Sequence, residues 1–219
     1  MYHFLFLFSL FIIYSFIGWT IEMVVCASVD KKIVNRGFLV GPYCPIYGFS
    51  SLIMIGVLQK YLNDAFVLFI MAIFICTFTE YITSYIMEKI FHARWWDYTN
   101  IPFNLNGRVC LTNSICFGIL GTILLYVLNP MITNFLESIK VSTFNIIFFV
   151  IYIIFFIDVV TSINIINKLK ITADSIRKDY TEEITSKVKD VIFKNSLLSR
   201  RLIRAFPNIT FKILNIRKK

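Results

Sequence analysis

Charge is scarce in this chain of 219 residues: Asp, Glu, Lys and Arg together make up 16%, where soluble domains carry roughly a quarter. With a mean hydropathy of +0.73 as well, the composition excludes a water-soluble globular domain and points to lipid. Histidine is nearly absent, and His3 and His92 stand far apart. Neither an H-E-x-x-H zinc pair nor a Ser-His-Asp set is legible. The five cysteines, at 26, 44, 76, 110 and 116, form no C-x-x-C pair and no metal-ligand spacing, so they read as small apolar packing residues. No cofactor or metal is expected. A G-x-x-x-x-G-K-[ST] loop is missing too, and with it the means to cradle a nucleotide phosphate. The first apolar run has no basic stretch before it, is long for a signal peptide and carries Glu22, so it is expected to be retained.

What is present is hydrocarbon, including 23 Phe. A span across about 30 Å of bilayer core needs roughly 20 mainly apolar residues. Five runs qualify: Phe4 to Val29, Val40 to Leu58, Ala65 to Met87, Val109 to Leu128 and Phe144 to Ile166. The second is the shortest and carries Pro42 and Pro45 at its start. Basic residues alternate between the connections. Lys31, Lys32 and Arg36 follow the first span, Lys60 the second, Lys89, Arg94 and Arg108 the third, and Lys140 the fourth. The positive-inside rule then puts loops 30–39 and 89–108 and the tail in the cytoplasm, with the N-terminus outside. The expected fold is an all-α polytopic protein of the cytoplasmic membrane, with a bundle over 1–166 and a basic tail over 167–219.

Net charge sits almost wholly in that tail. Residues 1–166 carry eight basic and eight acidic side chains, and the tail carries fourteen and five, which accounts for the net +9. Beside a membrane exit such a surplus fits anionic lipid headgroups better than nucleic acid. Leu169, Ala173, Ile176, Tyr180, Ile184, Val188 and Val191 recur every three or four residues, which predicts an amphipathic helix to about 205. It could lie on the membrane, meet a partner, or continue the fifth span onto the cytoplasmic loops.

Ionisable residues inside the spans are the informative ones, since a carboxyl at mid-bilayer costs about 2.5 kcal/mol or more unless paired, hydrated or neutralised. Ser15, Gly18 and Glu22 share one face of the first span. Thr77, Glu80, Ser84 and Glu88 form a stripe on the third that cannot face lipid. Asp158, Thr161 and Ser162 share a face of the fifth. Ser114, Gly118 and Thr122 on the fourth, and Gly41, Gly48 and Gly56 on the second, read as close-packing seams.

Between the third and fourth spans runs "RWWDYTNIPFNLNGR", Arg94 to Arg108. One reading makes Trp95, Trp96 and Tyr98 anchors at the headgroup level, with Asp97 paired to an arginine and the asparagines holding turns. The other gathers Glu22, Arg36, Glu80, Ser84, Glu88, Arg94, Asp97, Asn104 and Arg108 into a polar cavity roofed by loops one and three, because buried carboxylates and guanidinium groups need each other. The two loops also echo one another, "VNRGFLVGPYCPIYGF" and "LNGRVCLTNSICFG", as a parallel repeat would.

Three blocks carry a family resemblance: "NRGFLVGPYCPIYG" (Asn35 to Gly48), "TEYITSYIMEKIF" (Thr79 to Phe91) and "RWWDYTNIPFNLNGRVCL" (Arg94 to Leu111). They resemble the signature blocks of the ABC-transporter permease family called CmpB-like or type IV, over most of residues 10 to 165. "RAFPN" (Arg204 to Asn208) is similar to the tail end of its members. The resemblance implies a multi-span bacterial inner-membrane protein of permease type and carries over no catalytic or substrate residue. Any ATP work then belongs to a separate ATPase subunit, and five spans favour a homo-oligomer or another membrane partner.

Three readings stand on the sequence. The chain is a transport component whose glutamates and arginines line a substrate or proton path. Alternatively, it is a membrane-embedded enzyme on a lipid or lipid-linked substrate, with a glutamate as base and arginines on a phosphate. In the third reading the polar cluster only locks the helices and the tail recruits a partner.

Overall fold

In the computed structural model, residues 2–31, 35, 37–91, 93–177, 201 and 210–211 are described. Six helices and four two-residue strands appear in chain order: α1 (Tyr2–Asp30), α2 (Pro45–Leu58), α3 (Ala65–Phe91), β1 (Ala93–Arg94), β2 (Asn104–Leu105), β3 (Val109–Cys110), α4 (Leu111–Ile123), α5 (Asn129–Ser138), α6 (Val141–Arg177) and β4 (Thr210–Phe211).

Among the described residues, four helical stretches are long and apolar enough to cross a membrane: Tyr2–Ser28, Ala65–Phe91, Leu111–Ser138 and Val141–Asn167. They correspond to the first, third, fourth and fifth expected runs. The second run behaves differently. Its helix starts only at Pro45 and has 14 residues, about 21 Å at 1.5 Å per residue, against about 30 Å of hydrocarbon. Proline lacks an N–H, so it opens a helix more readily than it continues one, and Pro42 and Pro45 delay the start.

The Leu111–Ser138 stretch joins α4 and α5 through a widened π turn over Leu124–Leu128. Pro130 stands just beyond it. Its ring leaves no room for the carbonyl four residues back and donates no hydrogen bond, which the wider turn absorbs. Asn129 beside it accepts the hydroxyl of the buried Tyr14 at 2.9 Å. Helix α6 passes unbroken from its apolar part to Arg177, so the start of the tail continues the last span. The rest of the expected tail helix, apart from Arg201, lies outside the described residues, as do Arg36 and His92.

The core gathers Leu10, Tyr14, Met54, Leu58, Leu68, Ala72, Leu125 and Phe144 from every long element. Outward faces are as apolar as the core, with Phe66, Phe74, Phe78, Ile146 and Phe156 well exposed, which suits a protein solvated by acyl chains. Small residues let helices touch. A Cβ at Gly48 would strike Ser15 and Phe11 of α1, and one at Gly118 would strike Ile73 and Phe69 of α3. The fourth-span seam runs through the buried Ser114, Gly118 and Gly121, with Thr122 turned to bond Gly118 O at 2.9 Å. Gly56 faces open space.

Candidate functional site

On α3 the buried positions fall every fourth residue: Leu68, Ala72, Cys76, Glu80, Ser84 and Glu88. One helical ridge therefore turns from apolar to acidic along its length, and the acidic half meets the loop after α3. That loop is built by its own turn chemistry. Asn106 and Gly107 have φ of 54° and 64°, the left-handed pair that Asn-Gly favours, and Arg108 N–H closes the turn on Leu105 O at 3.0 Å. Strands β2 and β3 pair antiparallel on either side. A Cβ at Gly107 would collide with Thr99 Oγ1, Asp97 Oδ1 and Arg94 Nη1. Only glycine allows these side chains to close over the hairpin.

The hairpin delivers Arg108 to the ridge. Its guanidinium lies 2.8 Å from Glu88 Oε2 and 3.2 Å from Ser84 Oγ, with the rings of Tyr85 and Tyr81 at 5.4 and 5.7 Å. Arg94 approaches the same Glu88 oxygen at 3.5 Å and Asp97 Oδ1 at 3.4 Å. Both contacts are longer than an ordinary charged hydrogen bond of about 2.7–2.9 Å, so Arg108 is clamped and Arg94 is loosely held. The Thr99 hydroxyl and then its N–H bond Asp97 and, with Arg94, hold that carboxyl below the usual range, against the opposing effect of burial. Asn104 ties the loop to itself, donating to Ile101 O at 2.8 Å and accepting Gly107 N–H at 2.9 Å.

Deeper in the bundle two glutamates are each capped by a tyrosine. Tyr47 donates to Glu22 Oε1 at 2.7 Å, and Tyr98 donates to Glu80 Oε1 at 3.2 Å. Burial pushes the Tyr98 hydroxyl far up, and the Glu80 and Glu22 carboxylates push it further, so it remains a donor. The other Glu80 oxygen is buried without a hydrogen-bond partner. Four elements thus bring Glu22, Tyr47, Glu80 and Tyr98 to one polar core, while Thr77 bonds Ser114 of α4 at 2.8 Å.

An open cleft of about 480 Å³ lies between α3 and the hairpin, lined by Tyr81, Tyr85, Arg94, Thr99, Asn104, Asn106, Gly107 and Arg108. Of the expected cavity residues, Arg94, Asn104 and Arg108 reach this wall, and Ser84, Glu88 and Asp97 bond them from behind. Glu22 and Glu80 belong to the tyrosine-capped core, and Arg36 is outside the described residues. The three aromatic residues turn into protein: Trp95 packs on Phe38 and Phe91, Trp96 donates to Arg108 O at 3.0 Å, and Tyr98 caps Glu80. Tyr81 and Tyr85 escaped the sequence reading. Their spacing of four beside the acidic stripe was the available signal.

Loop one is fastened by residues far away in sequence. Asp158 accepts the N–H groups of Val40 and Gly41 at 3.0 and 2.8 Å, and Ser162 accepts Val40 N–H as well, at 3.1 Å. Arg201 donates to the carbonyls of Gly37, Leu39 and Val40. Burial lowers the Arg201 proton affinity, and the Asp158 carboxylate works against that. Strand β4 pairs with β1 beside Arg94, so tail residues touch both loops. Among the described residues no group of three or more His, Cys, Asp and Glu side chains could hold a metal ion.

A family model described as "Putative ABC-transporter type IV" matches residues 9–163. No curated protein and no solved structure matches the chain.

Proposed function

This chain belongs to the CmpB family of type IV ABC-transporter proteins, and from that premise we propose that it is a multi-pass membrane transport component whose Glu and Arg residues form a polar path on the cytoplasmic side. Glu22, Glu80 and Glu88 line it, Arg94 and Arg108 set its charge, and, with the short α2 running back along α1 as a fifth crossing, the N-terminus lies outside with loops 30–39 and 89–108 and the tail inside. One observation carries the reading. Carboxyl groups are kept at buried sites of an apolar helix, and one Glu80 oxygen has no partner, although such groups are costly there and mark pathways in other membrane proteins.

With no phosphate-cradling loop in the chain, nucleotide hydrolysis is assigned to a separate ATPase subunit, and the small number of spans to a homo-oligomer or a heteromeric partner. The tail, rich in Lys and Arg, lies against anionic headgroups. Solute flux in proteoliposomes, with co-purification of an ATPase, tests the proposal. Glu80→Gln is expected to abolish flux while the fold survives. Absence of flux and of any ATPase partner from the unmodified protein would overturn it. The second reading, an enzyme on a lipid or lipid-linked substrate, is favoured by the arginine-walled cleft beside the bilayer. A changed lipid profile in cells carrying Glu80→Gln would favour it.

A further inference from the structure

The cleft is not an isolated pit, because two of its wall residues begin an apolar row. Tyr85, Tyr81, Phe78 and Phe74 stand at intervals of four, three and four on α3, which is one helical face. Phe74 and Phe78 are both 66% exposed and Tyr85 44%. On α4 the exposed Leu111, Ile115 and Ile119 form a second row at intervals of four. Both rows border the seam where Thr77 meets Ser114 and Ile73 meets Gly118. From Tyr85 to Phe74 the α3 row runs about 16 Å at 1.5 Å per residue, close to half of a hydrocarbon core about 30 Å thick.

The charged end is asymmetric. Arg94 and Arg108 share Glu88, and Arg94 also meets Asp97, while the sequence adds Lys89 to this end of α3. Arg108 is spent on Glu88 at 2.8 Å, whereas both contacts of Arg94 are long and its side chain borders the cleft. Lys89 stands 5.6 Å from the ring of Tyr85, which lines the cleft. A phosphate at this level finds a guanidinium that is not saturated and an ammonium close by.

We infer that the cleft binds the phosphate of a membrane lipid, with Arg94 as its principal ligand and the acyl chains laid along the α3–α4 rows. The inference rests on the Glu–Arg cluster being the working site and names its ligand class, a phosphate ester. The lipid source is favoured over a soluble one because the apolar rows continue directly from the cleft wall.

Full-length protein, delipidated in detergent, is titrated with phosphatidylglycerol, with diacylglycerol of the same chains and with glycerol phosphate, and bound lipid is counted by native mass spectrometry. Phosphatidylglycerol is expected to be retained in preference to both others. Arg94→Gln should weaken it about ten-fold or more, the loss of one charge-assisted hydrogen bond. Equal retention by Arg94→Gln, or equal binding of diacylglycerol, would overturn the proposal, and glycerol phosphate binding as tightly as the lipid would overturn the lipid source. Should Arg94→Gln fail to fold, a photo-crosslinker in place of Tyr85 is compared with one in place of Ile146, an exposed α6 residue. Enrichment of phosphate lipids at position 85 supports the site, and equal capture at both positions refutes it. Because this binding is read without flux, protein that holds the lipid but moves no solute refutes transport alone, and protein that moves solute without holding the lipid refutes this inference alone.

Discussion

Arg108 shows how one side chain ties a loop to a helix. It is 8% exposed, and truncating it removes the nearer of the two guanidinium groups on Glu88 and the donor to Ser84. Breaking a buried pair from one side costs about 3–5 kcal/mol, so Arg108→Ala should lower unfolding stability in detergent by that order. The double variant Arg108→Gln, Glu88→Gln should lose less than the sum of the single losses. Asp97 makes a weaker, pH-dependent contribution. Its carboxyl titrates lower in the folded loop than in the unfolded chain, so its stabilisation is complete above the unfolded aspartate value of about 3.9 and is lost as pH falls through the lower folded value. Trp96 fluorescence, followed through an acid titration, should report loosening of the loop in that window, and Asp97→Asn should abolish that dependence.

At the scale of elements, two glycines decide how parts meet. Gly118→Leu would force α4 away from Ile73 and Phe69. Overpacking of this kind costs about 1–3 kcal/mol, measurable as a lowered unfolding midpoint. Gly107→Ala would strain a residue at φ 64° and push Arg94 and Asp97 apart. Its expected signature is lost lipid retention at nearly unchanged helix content, read by native mass spectrometry and circular dichroism. The α3 stripe was legible in sequence because helical spacing puts Glu80, Ser84 and Glu88 on one face whatever surrounds them. Which partner each would take was not legible, since the Asn-Gly turn sets the hairpin and the hairpin decides that Arg108, rather than Arg94, closes on Glu88.

Across the whole molecule, the tail and both loops meet through Arg201 and β4, as the proposed orientation requires. Cysteines placed at Asn100, in loop three, and at Lys140, between α5 and α6, should label from opposite sides in sealed vesicles, Asn100→Cys from the cytoplasmic side. Labelling of both from one side would refute the proposed orientation. Arg201→Ala removes donors from three loop-one carbonyls and should make 37–44 more sensitive to protease. Packing of the tail on the cytoplasmic loops was one of the readings open in the sequence, but Arg201 and its carbonyl partners were not legible, because the two segments lie about 160 positions apart.

Composition and periodicity by themselves determined that the chain is a helical membrane protein, where its apolar runs lie and that acidic groups on the third run must turn inward. These follow from local spacing and from the cost of charge in hydrocarbon, which no fold can evade. Only the tertiary structure decided that α2 is a short helix, that tyrosines cap Glu22 and Glu80, that Asp158 and Arg201 pin loop one, and that a cleft opens where the arginine loop meets α3. Each depends on a turn or a long-range hydrogen bond, and such contacts are set by the meeting of distant segments.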